Sequence, residues 1–248
     1  MNRDRLSGES HVWARAFAIP RAAKNRLLAS LAPEAFLCVA AELEPVELAA
    51  GYVVAESHEQ TKYAYFPEGC VVSLQRTTRD GASVEFGMVG SEGVLGIASL
   101  FEGHQTLGRA VVQGAGRALR LPVKALLDSC RRCGGFRSGL LRFAWEFNVQ
   151  VAQRSVCHRV HSTEHHLCSW LLLMHDRSSG DELEVTQEAL GGLLGARREA
   201  VSIAARHLRD DGLIWCTRGR LAIRDHAALE ARSCECYEVI RQAYARQD

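Results

Sequence analysis

Thr186-Gln187-Glu188-Ala189-Leu190-Gly191-Gly192-Leu193-Leu194-Gly195-Ala196-Arg197-Arg198-Glu199-Ala200-Val201 is the stretch on which the reading of this chain turns. Thr186 can accept from the free N–H groups at the start of a helix, and Glu188 in the first turn complements the helix dipole. Leu190, Leu193 and Leu194 give that helix an apolar face, and Gly195 is placed to end it. A second helix is predicted from about Arg197 to Arg209, with Val201, Ala204, Ala205 and Leu208 turned inward. Two short helices joined by a glycine turn form a helix-turn-helix, with the small Gly191 permitting their close approach.

After Gly212, residues Trp215 to Ile223 read as a strand, an arginine-bearing turn and a returning strand, which is a β-wing. Residues 195–225 carry seven arginines against Glu199, Asp210, Asp211 and Asp225. In such units the N-terminal end of the second helix enters the DNA major groove. Arg197, Arg198, Glu199, Ser202 and Arg206 are therefore the candidate DNA-facing residues of that helix. Arginine can take both acceptors of a guanine, and glutamate can accept from a cytosine amino group. Arg218 and Arg220, in the wing, are placed to meet phosphate.

The stretch 186–201, including the Arg-Glu pair at 198–199, resembles the helix-turn-helix of the Crp/Fnr family of bacterial transcription regulators. The resemblance extends over most of the chain. It implies an α+β protein in three parts: a β jelly-roll sensor domain with an N-terminal helix (1–122), resembling cyclic-nucleotide-binding domains, a linker and dimerisation helix (123–160), and a winged helix-turn-helix with a C-terminal helix (161–248). It further implies a homodimer on a near-palindromic double-stranded operator, a small effector, and RNA polymerase as partner if the protein activates. Many members carry a second base-reading Arg one turn after the Glu; here that position is Ile203, so the target sequence differs.

The rest of the chain has the matching order of textures on its own evidence. Residues 11–38 look helical, with Leu27, Leu28, Leu31 and Phe36 on one stripe. Short β-prone runs follow from Val46 to Leu121: 52–54, 63–66, 70–74, 84–86, 110–112 and 118–121, with Asp80-Gly81 as a hairpin signal. Val123 to Cys130 is a short helix, broken by Gly134-Gly135. A long helix is predicted from Ser138 to about Val160 with two apolar stripes. One is Leu140, Ala144, Phe147 and Val151; the other is Leu141, Trp145, Ala152 and Val156. Two apolar faces call for two neighbours. These are either the β-domain and a second subunit, or two faces of one monomer's core. The first stripe is assigned to the dimer seam. A further helix spans about Thr163 to His175.

The family's cyclic-nucleotide cradle resembles Phe-Gly-Glu-Leu followed by Arg-Ser-Ala or Arg-Thr-Ala. The matching residues here are Val94-Leu95-Gly96-Ile97-Ala98 and Leu107-Gly108-Arg109-Ala110-Val111. Ile97 stands where the ribose-binding Glu would be. Gly108 stands where the phosphate-binding Arg would be, and Arg109 falls one residue later, on the other face of a strand. Residues 80–108 hold Asp80, Glu85, Glu92 and Glu102 and no Lys or Arg. An effector other than cyclic AMP or cyclic GMP is expected.

Composition narrows the remaining classes. The chain has 248 residues, is 47% hydrophobic and 24% charged, and carries a net +1, so it is an ordinary globular sequence whose overall charge favours no partner. Arginine supplies 27 of the 30 basic residues. Nine cysteines cannot all pair with one another, and several sit in apolar helical stretches, as thiols of a reducing compartment do. Met1 to Ser10 lacks an apolar signal core and no run is long enough to span a bilayer, so a cytoplasmic protein without membrane contact is expected. Cys130-x2-Cys133 with His158-x2-His161 has partial zinc-ligand spacing, and Cys234-x-Cys236 is read as lying in a helix with diverging side chains. No metal or other cofactor is assigned. The alternative class is a cupin-like small-molecule-binding or metal-dependent protein whose C-terminal domain is only an interaction module. The β-region offers only His58 and His104 as imidazole ligands, with no His-x-His pair, and no catalytic motif appears, so no enzyme is expected.

Overall fold

The computed structural model describes residues 24–101, 105–178, 180, 182–217 and 219–245. Two short helices open the described chain, α1 (Arg26–Ala29) and α2 (Pro33–Ala40). The single helix expected to run to residue 38 is thus broken, and its residues 11–23 lie outside the described residues. Pro33 is the reason for the break: it suits the first turn of α2 but pushes Ala32 into extended backbone (ψ 148°).

Seven strands follow: β1 (Glu44–Leu48), β2 (Val53–Ala55), β3 (Tyr63–Pro67), β4 (Val71–Thr77), β5 (Ser83–Val89), β6 (Arg109–Gly114) and β7 (Gly116–Pro122). They form a three-stranded sheet β1-β7-β3 and a four-stranded sheet β2-β6-β4-β5, with every pairing antiparallel. Ala64, Phe66, Ala118 and Leu121 from the first sheet and Val72, Met88, Ala110 and Val112 from the second are buried in one core. The β4–β5 hairpin closes at Asp80-Gly81, with Thr78 N–H donating to Ala82 O at 2.8 Å.

The chain then leaves the sheets through α3 (Val123–Arg132) and the long α4 (Gly134–Val160). The break falls at Cys133, which is extended (φ −127°, ψ 101°), so Gly134 and Gly135 occupy the first turn of α4 rather than ending a helix. Leu140 is 1% exposed in the shared core, and Phe147 packs against Phe86 of β5 and Phe143 of its own helix. Ala144 and Val151 are half-buried. The stripe assigned to the dimer seam therefore faces the chain's own sheet. The free face is the other stripe: Leu141 (51% exposed), Trp145 (65%), Val156 (46%) and Ala152, continued by Val160 (68%). The two stripes lie one residue apart round the helix, and the aromatic cluster on β5 selects Phe147 over Trp145 as the inward side chain.

The C-terminal part comprises α5 (Thr163–His175), β8 (Glu182–Glu184), α6 (Gln187–Leu194), α7 (Arg198–Asp210), β9 (Ile214–Thr217), β10 (Arg220–Ile223), α8 (His226–Arg232) and α9 (Glu235–Tyr244). Its sheet runs β8-β10-β9. The wing thus gains a third strand, β8, whose Glu-Leu-Glu alternation is real but only three residues long, too short to be read in advance. The single C-terminal helix becomes two, because Ser233 and Cys234 are extended between α8 and α9.

Two buried ion pairs fasten the sheet to the helices. Glu85 of β5 meets Arg154 of α4 at 3.0 Å and accepts from Trp170 Nε1 of α5, also at 3.0 Å. Glu92, just after β5, accepts from Arg177 Nε at 2.7 Å, and the Arg177 guanidinium lies 5.2 Å from the ring centroid of Tyr244 in α9. Desolvation raises the Glu85 carboxyl above the usual carboxylate range, with Arg154 pulling the other way.

Candidate nucleic-acid interface

α6 begins where expected, with Thr186 Oγ1 accepting from Ala189 N at 3.1 Å. It ends at Gly195, which adopts the left-handed conformation (φ 59°, ψ 29°) and whose N–H meets the last carbonyls of the helix. Ala196 N–H donates to Gly191 O at 2.9 Å, and a Cβ on Gly191 would lie 3.1 Å from Ala196 O, so the turn folds tightly back on α6. Val201, Ala204, Ala205 and Leu208 are all buried, which fixes the rotation of α7. Arg198, Glu199, Ile203 and Arg206 are exposed on its opposite face, as is Arg197, the N-cap; Ser202 is half-buried and donates to Gln187 Oε1 at 2.8 Å. Among the described residues, Arg197, Arg198, Glu199 and Arg206 have no ion-pair partner. This is a row of free forks and one free carboxylate at the start of an anchored helix.

The wing is partly as expected. Arg218 lies outside the described residues. Arg220 of β10 stands 3.8 Å from Glu182 and 3.6 Å from Glu184 of β8, all three exposed. Such surface pairs are weak and screened by salt, so they leave the Arg220 charge available to a phosphate only in competition with two carboxylates.

Residues 165–232 match the family described as the Crp-like helix-turn-helix domain. Solved structures with the same fold include a Crp/Fnr-family transcriptional regulator from Eubacterium rectale (14% identity, 83% of this chain and 96% of that one, TM-score 0.65). FixK2 from Bradyrhizobium japonicum (14%, 77% and 98%, 0.64) and a CRP-family transcriptional regulator from Thermus thermophilus (20%, 76% and 96%, 0.61) are also similar. No curated protein matches the chain. The chain has a Crp/Fnr fold that carries a Crp-like helix-turn-helix domain.

In this Crp/Fnr fold the two N-terminal sheets hold a cavity of about 110 Å³, lined by Tyr63, Tyr65, Leu74, Phe86, Ile97 and Gly108 among others. Among the described residues, no Lys, Arg, His, Asp or Glu lines it. A Cβ on Gly108 would lie 2.3 Å from Gln75 O and 2.8 Å from Phe86 Cε1, so no side chain fits where a phosphate-binding Arg would stand. Arg109 points to the surface and pairs with Glu56 at 3.1 Å.

The sequence pairing of Cys130 and Cys133 with His158 and His161 does not assemble. Cys133 is instead beside Cys38, and His158 packs edge-on to His166 at 4.2 Å. Burial pushes these two imidazoles down to about 4 and about 2. A different group comes together: Cys157, His161, Cys234 and Cys236. Cys234 is the extended N-cap of α9 rather than a residue within it, so its thiol and that of Cys236 converge instead of diverging. The available signal was Cys157-x3-His161, which places both side chains on one helical face. No helix among the described residues is long and apolar enough to cross a membrane.

Proposed function

We propose that the protein is a homodimeric, sequence-specific, DNA-binding transcription regulator of the cytoplasm, with no catalytic activity of its own. The observation that carries this is the exposed, unpaired face of α7: Arg197, Arg198, Glu199 and Arg206 beside the tight Gly195 turn. Arg198 and Glu199 read base edges, Ser202 and Arg206 follow them along the groove, and Arg218 and Arg220 hold phosphate. A two-fold dimer sets the two reading helices one DNA turn apart, roughly 34 Å, on a near-palindromic operator. Its seam is the Leu141, Trp145, Ala152 and Val156 face of α4, and RNA polymerase is the further partner if the protein activates.

A mobility shift of genomic fragments at moderate salt tests this. A discrete complex that survives competitor DNA is expected. Arg198→Ala should cost about 1–3 kcal/mol and relax preference at one base pair. Arg198→Ala with unchanged affinity and unchanged preference would refute the assignment.

The sensor cavity supports a reading of the effector class. Its uncharged lining, the blocked position at Gly108 and the outward Arg109 favour a small, mostly apolar neutral molecule over a cyclic nucleotide. An unpaired phosphate buried there is costly. Apolar cavities of roughly 150 Å³ take a single benzene-sized ring. Titration calorimetry with both cyclic nucleotides should show no saturable heat; tight binding abolished by Arg109→Ala would overturn the reading.

A further inference from the structure

Cys157 lies in the last turn of α4, His161 closes that helix, Cys234 caps α9 and Cys236 sits in its first turn. One ligand atom from each of the four lies within 4.8 Å of the other three. Cys157 Sγ is 3.6 Å from Cys234 Sγ, and Cys236 Sγ is 3.4 Å from His161 Nδ1. Tetrahedral zinc, with bonds of about 2.3 Å to sulfur and about 2.0–2.1 Å to nitrogen, sets its ligands at S···S of about 3.8 Å and S···N of about 3.6 Å. These two edges are thus already close to those of a filled site.

The surroundings are those of a metal centre rather than of packed thiols. The three cysteines are 1%, 7% and 1% exposed and form a cluster apart from the main hydrophobic core. His161 Nε2 is 3.3 Å from Glu235 Oε2, a carboxylate placed to accept an Nε2–H, and Nδ1 is the ring atom turned to the sulfurs. Polar groups face the sulfurs: Ser169 Oγ is 3.2 Å from Cys234 Sγ, and Gln153 Nε2 donates to Cys236 Sγ at 3.2 Å. Cys234 also stands at the positive end of α9.

We infer that Cys157, His161, Cys234 and Cys236 bind one zinc ion in a Cys3His tetrahedron. Three thiolates and a neutral imidazole around Zn²⁺ leave the centre at −1, and each thiol still protonated releases its proton to solvent on binding. With all four positions filled by protein, the ion has no open site for a substrate and is structural. A Cys157–Cys234 disulfide is the competing use of these thiols. It requires the sulfurs to close from 3.6 Å to about 2.05 Å and leaves Cys236 and His161 unengaged. The ion joins the end of the long helix to the α8–α9 joint, across the α4–α5 junction from which the reading helices depart. It therefore fixes the pose of the helix-turn-helix against the dimer seam.

The test uses the full-length protein, reduced, stripped with a chelator and titrated with Co²⁺ and then Zn²⁺. One equivalent of cobalt should bind with the intense visible bands of a tetrahedral thiolate site, and zinc should bleach them by displacement. Cys236→Ser should lose tenfold or more in cobalt affinity, whereas Cys216→Ser, in wing strand β9, should keep the parental spectrum and stoichiometry. The inference fails if the reduced parent gives no tetrahedral cobalt spectrum. It fails equally if Cys236→Ser and Cys216→Ser take up metal alike, or if the protein as isolated carries a Cys157–Cys234 disulfide and no zinc.

Discussion

Replacing Arg154 by Met removes the cation that faces the wholly buried Glu85. Arg154 Nη2 and Glu85 Oε1 are 3.0 Å apart, both side chains 3% exposed or less. At an effective dielectric of about 20, unit charges at that distance attract by about 5–6 kcal/mol. Breaking such a pair from one side costs about 3–5 kcal/mol, because the remaining charge stays buried. That is a large part of the roughly 5–15 kcal/mol that holds a domain folded. Removing both charges is a different matter. In Glu85→Gln/Arg154→Met the amide oxygen still accepts from Trp170 Nε1, and no charge is stranded. Nε and Nη1 of Arg154 are buried without partners in the native pair, so their removal also relieves a cost. The double variant should therefore lie within about 1 kcal/mol of the parent, giving a coupling energy of about 3 kcal/mol or more. Urea unfolding of the parent, both single variants and the double, at one fixed protein concentration and at a pH above the raised Glu85 value, where the carboxyl is ionised, measures it. If the two single losses simply add, the pair does not bind β5 to α4 and the reasoning is wrong.

Burial raises the Glu85 carboxyl, so the folded state holds its proton to higher pH than the unfolded chain, whose value is about 4.3. Glu85's contribution to stability is then fully present below that value and is lost as pH rises through its raised folded value. Glu85→Gln should remove this slope in urea midpoints measured upward from pH 4, and an unchanged slope would show that the carboxyl is not desolvated. Trp145→Glu should dissociate the dimer: covering the 65% of the indole now exposed buries about 160 Å², worth about 4 kcal/mol per subunit. Sedimentation equilibrium reads the mass, and a dimer unaffected by Trp145→Glu but broken by Val151→Arg would put the seam back on the inner stripe. Gly108→Ala forces its Cβ to 2.3 Å from the Gln75 carbonyl and should cost about 1–3 kcal/mol in thermal unfolding; no loss would show that β6 is not seated so closely on β4.

The helix-turn-helix was legible because each of its determinants acts within a few residues. The Thr186 cap, the left-handed Gly195 and the inward spacing of Val201, Ala204 and Leu208 need no distant partner to be read. The choice between the two stripes of α4 was not legible, since each is a good apolar helix face by itself. Phe86, sixty residues upstream, decides it. The sulfur cluster was hidden for the same reason: Cys157 and Cys234 are 77 residues apart, and each half of the group looks like an isolated pair. The acidic run 80–108 is the more instructive case. Read along the chain, it marks a neighbourhood hostile to an anion. In the fold, Glu85 turns to Arg154 and Glu92 to Arg177, and neither is among the residues that line the cavity between the sheets. Counting charges along the chain therefore gives no account of the lining of the cavity, because these two carboxylates do not face it. Among the described residues the lining carries no charged side chain to pair with either an anion or a cation; its polar side chains are Thr61, Tyr63, Tyr65 and Thr106. The carboxylates that seemed to guard the pocket instead tie the β5 region to α4, to α5 and to the segment that follows α5.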